Sequence, residues 1–178
     1  MRVISGTHRG RKLKEPANLD IRPTSDMVKE SIFNMVQFDM EGRNVLDLFA
    51  GTGQLGIEAL SRGAKNAVFV DASAQGVKIV KENLAACGFE NARVVNGDAI
   101  SYLARCEKFD MIFLDPPYDT ALIDSALAKI IEFDILKENG IIICETKVDK
   151  QLPELAPPYE VVREYKYGKI KITKITKS

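Results

Sequence analysis

Four consecutive residues combine a carboxylate, two prolines and an aromatic ring: Asp115, Pro116, Pro117 and Tyr118. They follow residues 111–114, an apolar run typical of a strand covered on both faces in a parallel sheet. Because proline lacks a backbone N–H, the pair ends the strand and leaves nearby carbonyls without sheet partners. Ligands bind at this carboxyl edge in open α/β sheets. Asp115, the Pro116 carbonyl and the Tyr118 ring would therefore line a cleft.

Two acceptors and a π-face suit a planar base that carries an exocyclic amine. The acceptors would hold the two amine hydrogens, and the tyrosine ring would stack on the base, a contact worth roughly 1–3 kcal/mol in nucleic-acid sites. The alternative is a strand-ending Pro-Pro turn with a surface tyrosine. The motif alone leaves both interpretations open.

A second motif, Gly51-Thr52-Gly53-Gln54-Leu55-Gly56, lies between a predicted strand at 44–49 and a predicted helix at 55–62. This G-x-G-x-x-G spacing lets a ligand approach the backbone, and Asp71 ends the next strand, where an acid accepts hydrogen bonds from ribose hydroxyls. The alternative is a glycine loop that serves only a tight strand–helix turn.

Further acids favour one class of nucleoside cofactor. Asp47, inside the first strand, would repel a pyrophosphate and attract the ammonium and sulfonium groups of S-adenosylmethionine. Asp98 ends the third strand, where it would accept a hydrogen bond from an adenine amine or cap the following helix. Ala72 and Ala99 are small enough to admit the ring. The predicted cofactor-binding residues are Asp47, Phe49, Ala50, Gly51, Gly53, Asp71, Ala72, Asp98 and Ala99.

The charge of this chain is uneven although its net charge is zero. Residues 1–14 contain five Lys or Arg and no acid, and glycines at positions 6 and 10 predict a hairpin-like arm. The basic run after Glu164 is interpreted as solvated surface or as lysines protecting an edge strand. A polyanion partner is predicted for the arm. The predicted RNA-binding residues are Arg2, His8, Arg9, Arg11 and Lys12 in the arm and Arg22 in the linker that follows it.

Alternating apolar patterns predict an α/β fold with a doubly wound, mostly parallel sheet and a C-terminal antiparallel hairpin. Further strands are predicted at 67–71, 92–96, 111–114, 141–144, 160–165 and 169–175. Further helices are predicted after a cap at Thr24 or Ser25 and at 73–87, 99–105 and 120–133. The predicted division is an RNA-binding arm and linker at 1–24, with the linker over 18–23, and a catalytic domain at 25–178.

Composition excludes several classes of protein. No apolar run approaches the roughly 20 residues that span a bilayer, and no signal peptide is evident, so a cytoplasmic protein without membrane contact is expected. Three widely separated cysteines, at 87, 106 and 144, indicate neither a disulfide framework nor a zinc site, and no metal is predicted.

Together these motifs resemble a known family. Residues 45–53 with 115–118 resemble a class I S-adenosylmethionine-dependent amino-methyltransferase of Rossmann-like fold. The N-terminal segments 2–6 and 9–13, Arg22-Pro23-Thr24 and residues 60–64 resemble the bacterial guanine-N2 methyltransferases of small-subunit ribosomal RNA, the RsmD family. Gln54 departs from the small residue usual in that family.

The resemblance implies methyl transfer from S-adenosylmethionine to guanine N2 of ribosomal RNA, free or within a small-subunit particle. Asp115, Pro116, Pro117 and Tyr118 would form the catalytic site, acting on an unpaired or flipped-out nucleotide. A monomer is expected. Two alternatives stay open: a DNA adenine-amine methyltransferase, which 178 residues without a target-recognition domain disfavour, and a non-catalytic cofactor- or RNA-binding module.

Overall fold

The computed structural model describes residues 1–17, 25–118 and 121–178. Its strands are β1 (Asn44–Leu48), β2 (Asn66–Asp71), β3 (Ala92–Asn96), β4 (Phe109–Leu114), β5 (Leu136–Lys147), β6 (Tyr159–Tyr167) and β7 (Ile170–Lys177). Its helices are α1 (Asp26–Met35), α2 (Gln54–Ser61), α3 (Ala74–Cys87), α4 (Ala99–Leu103) and α5 (Leu122–Glu132).

Across the described ranges, these strands form one sheet in the order β3-β2-β1-β4-β5-β7-β6. Strands β1 to β5 run parallel, and β7 pairs antiparallel with both β5 and β6. The predicted doubly wound sheet with a C-terminal hairpin is confirmed. Strand order reverses between β1 and β4, so the segments that leave these two strands flank the crevice where such sheets bind ligands.

Both faces of the central strands are buried, as their unbroken apolar sequence predicts. On β4, Met111 and Phe113 pack in the cluster that contains α1, α2 and α3 residues, while Ile112 and Leu114 pack in the cluster that contains α4 and α5 residues. Neither face of β4 is exposed to water, so its polar chemistry is concentrated after Leu114.

Strand β5 begins at Leu136, earlier than the predicted start at residue 141, and continues through Asn139 and Gly140, two residue types that often mark a turn. Asn139 adopts a positive φ of 57°, and a Cβ on Gly140 would lie 2.6 Å from the Lys137 carbonyl oxygen. The turn signal therefore marks a kink within one strand. Pairing between β4 and β5 shifts register on the β4 side between Phe109 and Met111.

Three of the C-terminal lysines differ from the prediction, because they lie on β7, which is an inner strand, whereas β6 is the edge. Lys171 lies 3.5 Å from a Glu164 carboxylate oxygen, Lys174 lies 3.4 Å from Asp39, and the buried Lys177 lies 2.5 Å from Asp134. These three lysines bind within the protein rather than protecting an edge.

The N-terminal hairpin is present and packs on the helical layer. Backbone bonds join Val3 to Arg11 and Gly10, and the side chains of Val3 and Leu13 are buried. The arm thus shares the core of the remaining chain, which its basic sequence did not reveal. The predicted linker, the boundary after residue 24 and Arg22 lie outside the described residues.

A buried carboxylate on α2 holds the arm. Glu58 accepts hydrogen bonds from the backbone N–H groups of Ile4 and Ser5 at 2.8 and 2.9 Å, and it binds Arg62 at 2.8 Å. The Lys29 ammonium lies 3.7 Å from the same carboxylate, and burial lowers the pKa of Lys29 although Glu58 opposes that shift. Two cations and two amides thus satisfy one buried anion, as a buried charge requires.

Within the described part of the chain, no helix is long and apolar enough to cross a membrane. The same residues contain no group of three or more His, Cys, Asp or Glu side chains placed to hold a metal ion.

Candidate active site

The glycine loop leaves β1 in a conformation that few side chains tolerate. Phe49 has φ of 70°, which costs a non-glycine residue about 1–3 kcal/mol and occurs mainly at functional sites. Gly53 adopts φ of 79° and begins α2, and a Cβ placed on Gly51 would meet no atom within 4 Å. The loop backbone at Gly51 is therefore open to a ligand.

Gly56 has a different role from the other two glycines of the motif. A Cβ at this position would lie 2.3 Å from the ring of Phe69 on β2. The third glycine therefore permits helix α2 to approach the sheet and contributes packing rather than ligand contact.

Asp71 fixes the loop from the end of β2. One carboxylate oxygen accepts the Gly51 N–H at 2.7 Å, and the other accepts the Ser73 N–H at 2.8 Å. Ser73 in turn caps α3 by accepting from the Gly76 N–H. The acid predicted to bind ribose thus lies beside the glycine loop, where its half-buried carboxylate also determines the loop's shape.

Asp47 lies beneath the loop and is 2% exposed. Its carboxylate accepts the Gly56 N–H at 2.9 Å, and it therefore joins β1 to α2. Burial raises the pKa of Asp47 to about 8, the Gly56 hydrogen bond opposes this, and the negative charge of Asp71 adds to it. At neutral pH the carboxyl is therefore largely protonated, which weakens the attraction predicted for a sulfonium. Its contact with a methyl donor stays a prediction.

The residues after β3 lie beside Asp71 at the same carboxyl edge of the sheet. Asp98 caps α4 by accepting the Ser101 N–H at 2.7 Å, and this bond lowers its pKa below the ordinary value. The cap interpretation is confirmed, and the exposed carboxylate remains available as the predicted acceptor for an adenine amine. Ala99 is buried, and the Asn96 side chain donates to the carbonyls of Asp71 and Ala72 at 3.0 and 3.1 Å.

The Asp-Pro-Pro-Tyr segment follows β4 on the other side of the crevice. Asp115 is half-buried, Pro116 is buried, and Pro117 and Tyr118 are exposed. The Tyr118 hydroxyl donates to Oε1 of Glu145 at 2.6 Å. Pro116, Pro117, Tyr118 and Glu145 border a cleft of about 340 Å³, whose other lining residues are Ile123, Thr146, Lys147, Asp149, Lys150 and Gln151. Asp115, which was expected to line this cleft, lies next to it in the chain but is not among its lining residues.

The motifs on β1 and β4 are adjacent in space. Leu48 and Leu114 are register partners on these parallel strands, so the glycine loop and Asp115 leave the sheet side by side. A cofactor on the loop and a base in the cleft would therefore meet at this edge.

The predicted RNA-binding residues of the arm lie on its surface, apart from half-buried His8, whose ring packs 4.4 Å from that of Phe89. Arg9 and Lys12 are exposed, and exposed Arg2 forms a salt bridge with Asp26 at 3.1 Å. Arg11 donates to the Ala86 carbonyl at the end of α3. RNA contact by these residues stays a prediction.

Sequence reasoning missed two residues at the site. Glu145 directly follows an apolar run that also ends at the carboxyl edge, which is the signal that identified Asp115. Asn83 is buried on α3 and gives no local signal. Its side chain accepts the Lys14 N–H at 2.7 Å and donates to the carbonyls of Lys14 and Thr52, thereby joining the arm to the glycine loop.

Comparisons with known proteins identify the family of this chain. The model of the family described as "Conserved hypothetical protein 95" matches residues 1–176. YlbH of Bacillus subtilis (strain 168), provisionally named an rRNA methyltransferase, is 43% identical over 94% of each chain. Ribosomal RNA small subunit methyltransferase D of Escherichia coli (strain K12) is 34% identical over 96% of this chain and 86% of that protein.

A solved structure extends the likeness to the whole fold. The protein yhhF of Escherichia coli, provisionally described as a methyltransferase, has a TM-score of 0.91 and is 31% identical to this chain. The alignment covers 100% of this chain and 98% of that one. The resemblance indicated by the motifs is confirmed, and the chain belongs to the family described as "Conserved hypothetical protein 95", the RsmD family.

Proposed function

We propose that this protein transfers a methyl group from S-adenosylmethionine to N2 of a guanine in small-subunit ribosomal RNA. The observation that carries this proposal is the adjacency of the glycine loop and Asp115-Pro116-Pro117-Tyr118, through the register pair Leu48 and Leu114. The names of the relatives support a methyltransferase that acts on ribosomal RNA.

The residues after β1, β2 and β3 fit an adenosine-containing methyl donor. The open backbone at Gly51, the Asp71 carboxylate and the exposed Asp98 would hold its amino acid, ribose and adenine portions respectively. Phe49, Ala50, Gly53, Ala72 and Ala99 complete the proposed pocket. S-adenosylmethionine supplies, when bound, a methyl group attached to a sulfonium leaving group.

The residues after β4 would prepare the amine. An exocyclic nitrogen is a poor nucleophile because its lone pair is delocalised into the ring. Asp115 and the Pro116 carbonyl would accept its two hydrogens, Tyr118 would stack on the base, and the nitrogen would be oriented in line with the methyl group. Asp115 or water would accept the released proton.

The arm would position the RNA. Arg9 and Lys12 are exposed, so their side chains could contact RNA phosphates. Phosphate contacts supply affinity and register but little sequence information. The target nucleotide would be presented unpaired or flipped out of its helix.

A transfer assay tests the proposal. The purified protein is incubated with labelled S-adenosylmethionine and unmodified small-subunit ribosomal RNA, free or in subunits, and the product nucleosides are identified by mass spectrometry. N2-methylguanosine is expected, and mapping RNA from cells with and without the gene would locate it. Formation of N6-methyladenosine in DNA would favour the alternative enzyme, and absence of both cofactor binding and transfer would favour a non-catalytic module.

A further inference from the structure

Glu145 lies directly beside the proposed catalytic segment. Leu114 on β4 and Cys144 on β5 are register partners in a parallel pair, so the next residues are neighbours: Asp115 leaves the sheet, while Glu145 remains in β5 and pairs with Ile172 on β7. Glu145 is only 4% exposed, yet it contributes to the wall of the cleft that Pro116, Pro117 and Tyr118 also line. A buried carboxylate therefore lies in the wall of the proposed base-binding site.

Tyr118 shows that this carboxylate accepts hydrogen bonds within the cleft. The phenolic hydroxyl of Tyr118 donates to Oε1 of Glu145 at 2.6 Å, which fixes Glu145 relative to the ring proposed to stack on the base. An ionised carboxylate has about four acceptor positions, so it can bind the tyrosine and a base edge together.

The pattern of hydrogen-bond donors distinguishes guanine from adenine and cytosine. Guanine presents three adjacent donor hydrogens, two on N2 and one on N1. Adenine and cytosine each present two on their amine, beside a ring nitrogen that is an acceptor. Asp115 and the Pro116 carbonyl account for the two amine hydrogens, and Glu145 adds a third acceptor with a counterpart only on guanine.

We propose that Glu145 determines specificity by accepting the N1–H of the target guanine, an inference that rests on the proposed function. With adenine or cytosine, the buried carboxylate would face a ring-nitrogen lone pair. Such a site rejects a base that lacks the donor because its own polar group is left without that partner on binding.

The test changes N1 from a donor to an acceptor and keeps the N2 amine. The accompanying exchange of the 6-oxo group for an amine is controlled by comparing the wild type with a Glu145 variant on the same two RNAs. Once the modified position has been mapped, RNA is prepared with either guanine or 2,6-diaminopurine there. Both bases carry the N2 amine, but N1 of diaminopurine is an acceptor. The wild-type protein is expected to prefer guanine by roughly tenfold to a hundredfold in kcat/KM, the range of a good base-reading contact. A wild-type protein that does not distinguish these RNAs overturns the inference without any variant.

Glu145→Gln is the decisive variant because its amide is isosteric and can donate to N1 of diaminopurine. Its preference for guanine should fall to within about threefold of unity, while its affinity for S-adenosylmethionine is unchanged in calorimetry. Glu138→Gln, which alters an exposed acid on the same strand, should keep the wild-type ratio. An unchanged ratio in Glu145→Gln, even with both rates lowered, would show a structural role. A wild-type product other than N2-methylguanosine would instead overturn the proposed function, and with it this inference.

Discussion

Burial gives Asp47 an effect on stability that depends on pH. Its pKa is about 8 in the folded protein against an ordinary value of 3.8. Between these values the folded state binds a proton that the unfolded state has lost, so stability falls as pH rises through this window. Each pKa unit corresponds to about 1.4 kcal/mol, and the difference between the two values therefore corresponds to about 6 kcal/mol over the whole window.

Asp47→Asn removes the titration and retains an acceptor for the Gly56 N–H. We expect its free energy of unfolding to change less than that of the wild type between pH 5 and pH 8.5, so the variant gains relative stability at the alkaline end. Urea denaturation across this range measures the difference. Parallel profiles for the two proteins would mean that Asp47 is charged throughout the range in the folded state.

Substitutions on the two sides of the crevice should have different effects, on the rate of methyl transfer or on cofactor affinity. Asp115→Ala and Tyr118→Ala should lower kcat at least tenfold with little change in cofactor affinity, because they face the base. Tyr118→Phe should lower kcat less than Tyr118→Ala does, because it keeps the stacking ring and loses only the hydrogen bond to Glu145. Asp71→Ala should instead weaken binding of S-adenosylmethionine and S-adenosylhomocysteine, since Asp71 holds the loop at Gly51.

Calorimetry with S-adenosylhomocysteine and a transfer assay under saturating cofactor distinguish these effects. Equal losses of cofactor affinity and rate in Asp115→Ala would assign that residue to the cofactor pocket. Tight binding of NAD, with none of S-adenosylmethionine, would contradict the assignment of the loop.

At the level of elements, Asn83 connects the arm, helix α3 and the glycine loop. Asn83→Ala would leave the Lys14 N–H and the carbonyls of Lys14 and Thr52 without this partner, at a cost of about 1–3 kcal/mol. We expect a lower melting temperature and a several-fold loss of S-adenosylmethionine affinity, because Thr52 lies between the two loop glycines. Thermal denaturation and calorimetry measure the two effects.

Asn91→Ala is the matched control, because the exposed Asn91 side chain, just before β3, donates a hydrogen bond to the Lys65 carbonyl and contacts neither the arm nor the glycine loop through that bond. It should leave cofactor affinity unchanged. If Asn83→Ala lowers the melting temperature but binds cofactor as the wild type does, the connection is structural only.

Local sequence predicts elements whose causes are local. The apolar run of β4, the glycine loop and the caps at Ser25, Ser73 and Asp98 all follow from neighbouring residues. The course of β5 through Asn139 was not predictable in this way, because long-range pairing with β7 overrides the turn signal. Glu145 and Asn83 were missed for a related reason, since their roles depend on partners 27 and 69 residues away.

At the scale of the whole molecule, zero net charge conceals an uneven surface. The lysines of β7 are paired internally, whereas Arg9 and Lys12 of the N-terminal arm are exposed. Glu58 and Asn83 hold this arm against α2 and α3, so an RNA bound there would be fixed relative to the cleft. The predicted monomeric state and cytoplasmic location are untested.

The arm's charge is tested by replacing Arg9, Arg11 and Lys12 with Ala. RNA affinity should fall, and its dependence on salt should flatten by roughly one unit of logarithmic slope for each phosphate that the arm no longer neutralises. Affinity for S-adenosylmethionine should stay close to wild type, and the melting temperature should fall only slightly, because Val3, Leu13 and the Glu58 hydrogen bonds are retained. Binding titrations at several salt concentrations give the slope.

Lys108, Lys129 and Lys137 provide the matched control, because their replacement with Ala removes the same charge from residues outside the arm. Lys108 and Lys137 lie near the amino ends of β4 and β5, and Lys129 lies in the last turn of α5. This variant should retain the wild-type salt slope. If the two triple variants lose RNA affinity equally, only the overall charge matters. If the arm variant instead melts far below the wild type with an unchanged slope, the arm serves the fold, and RNA is positioned by another surface.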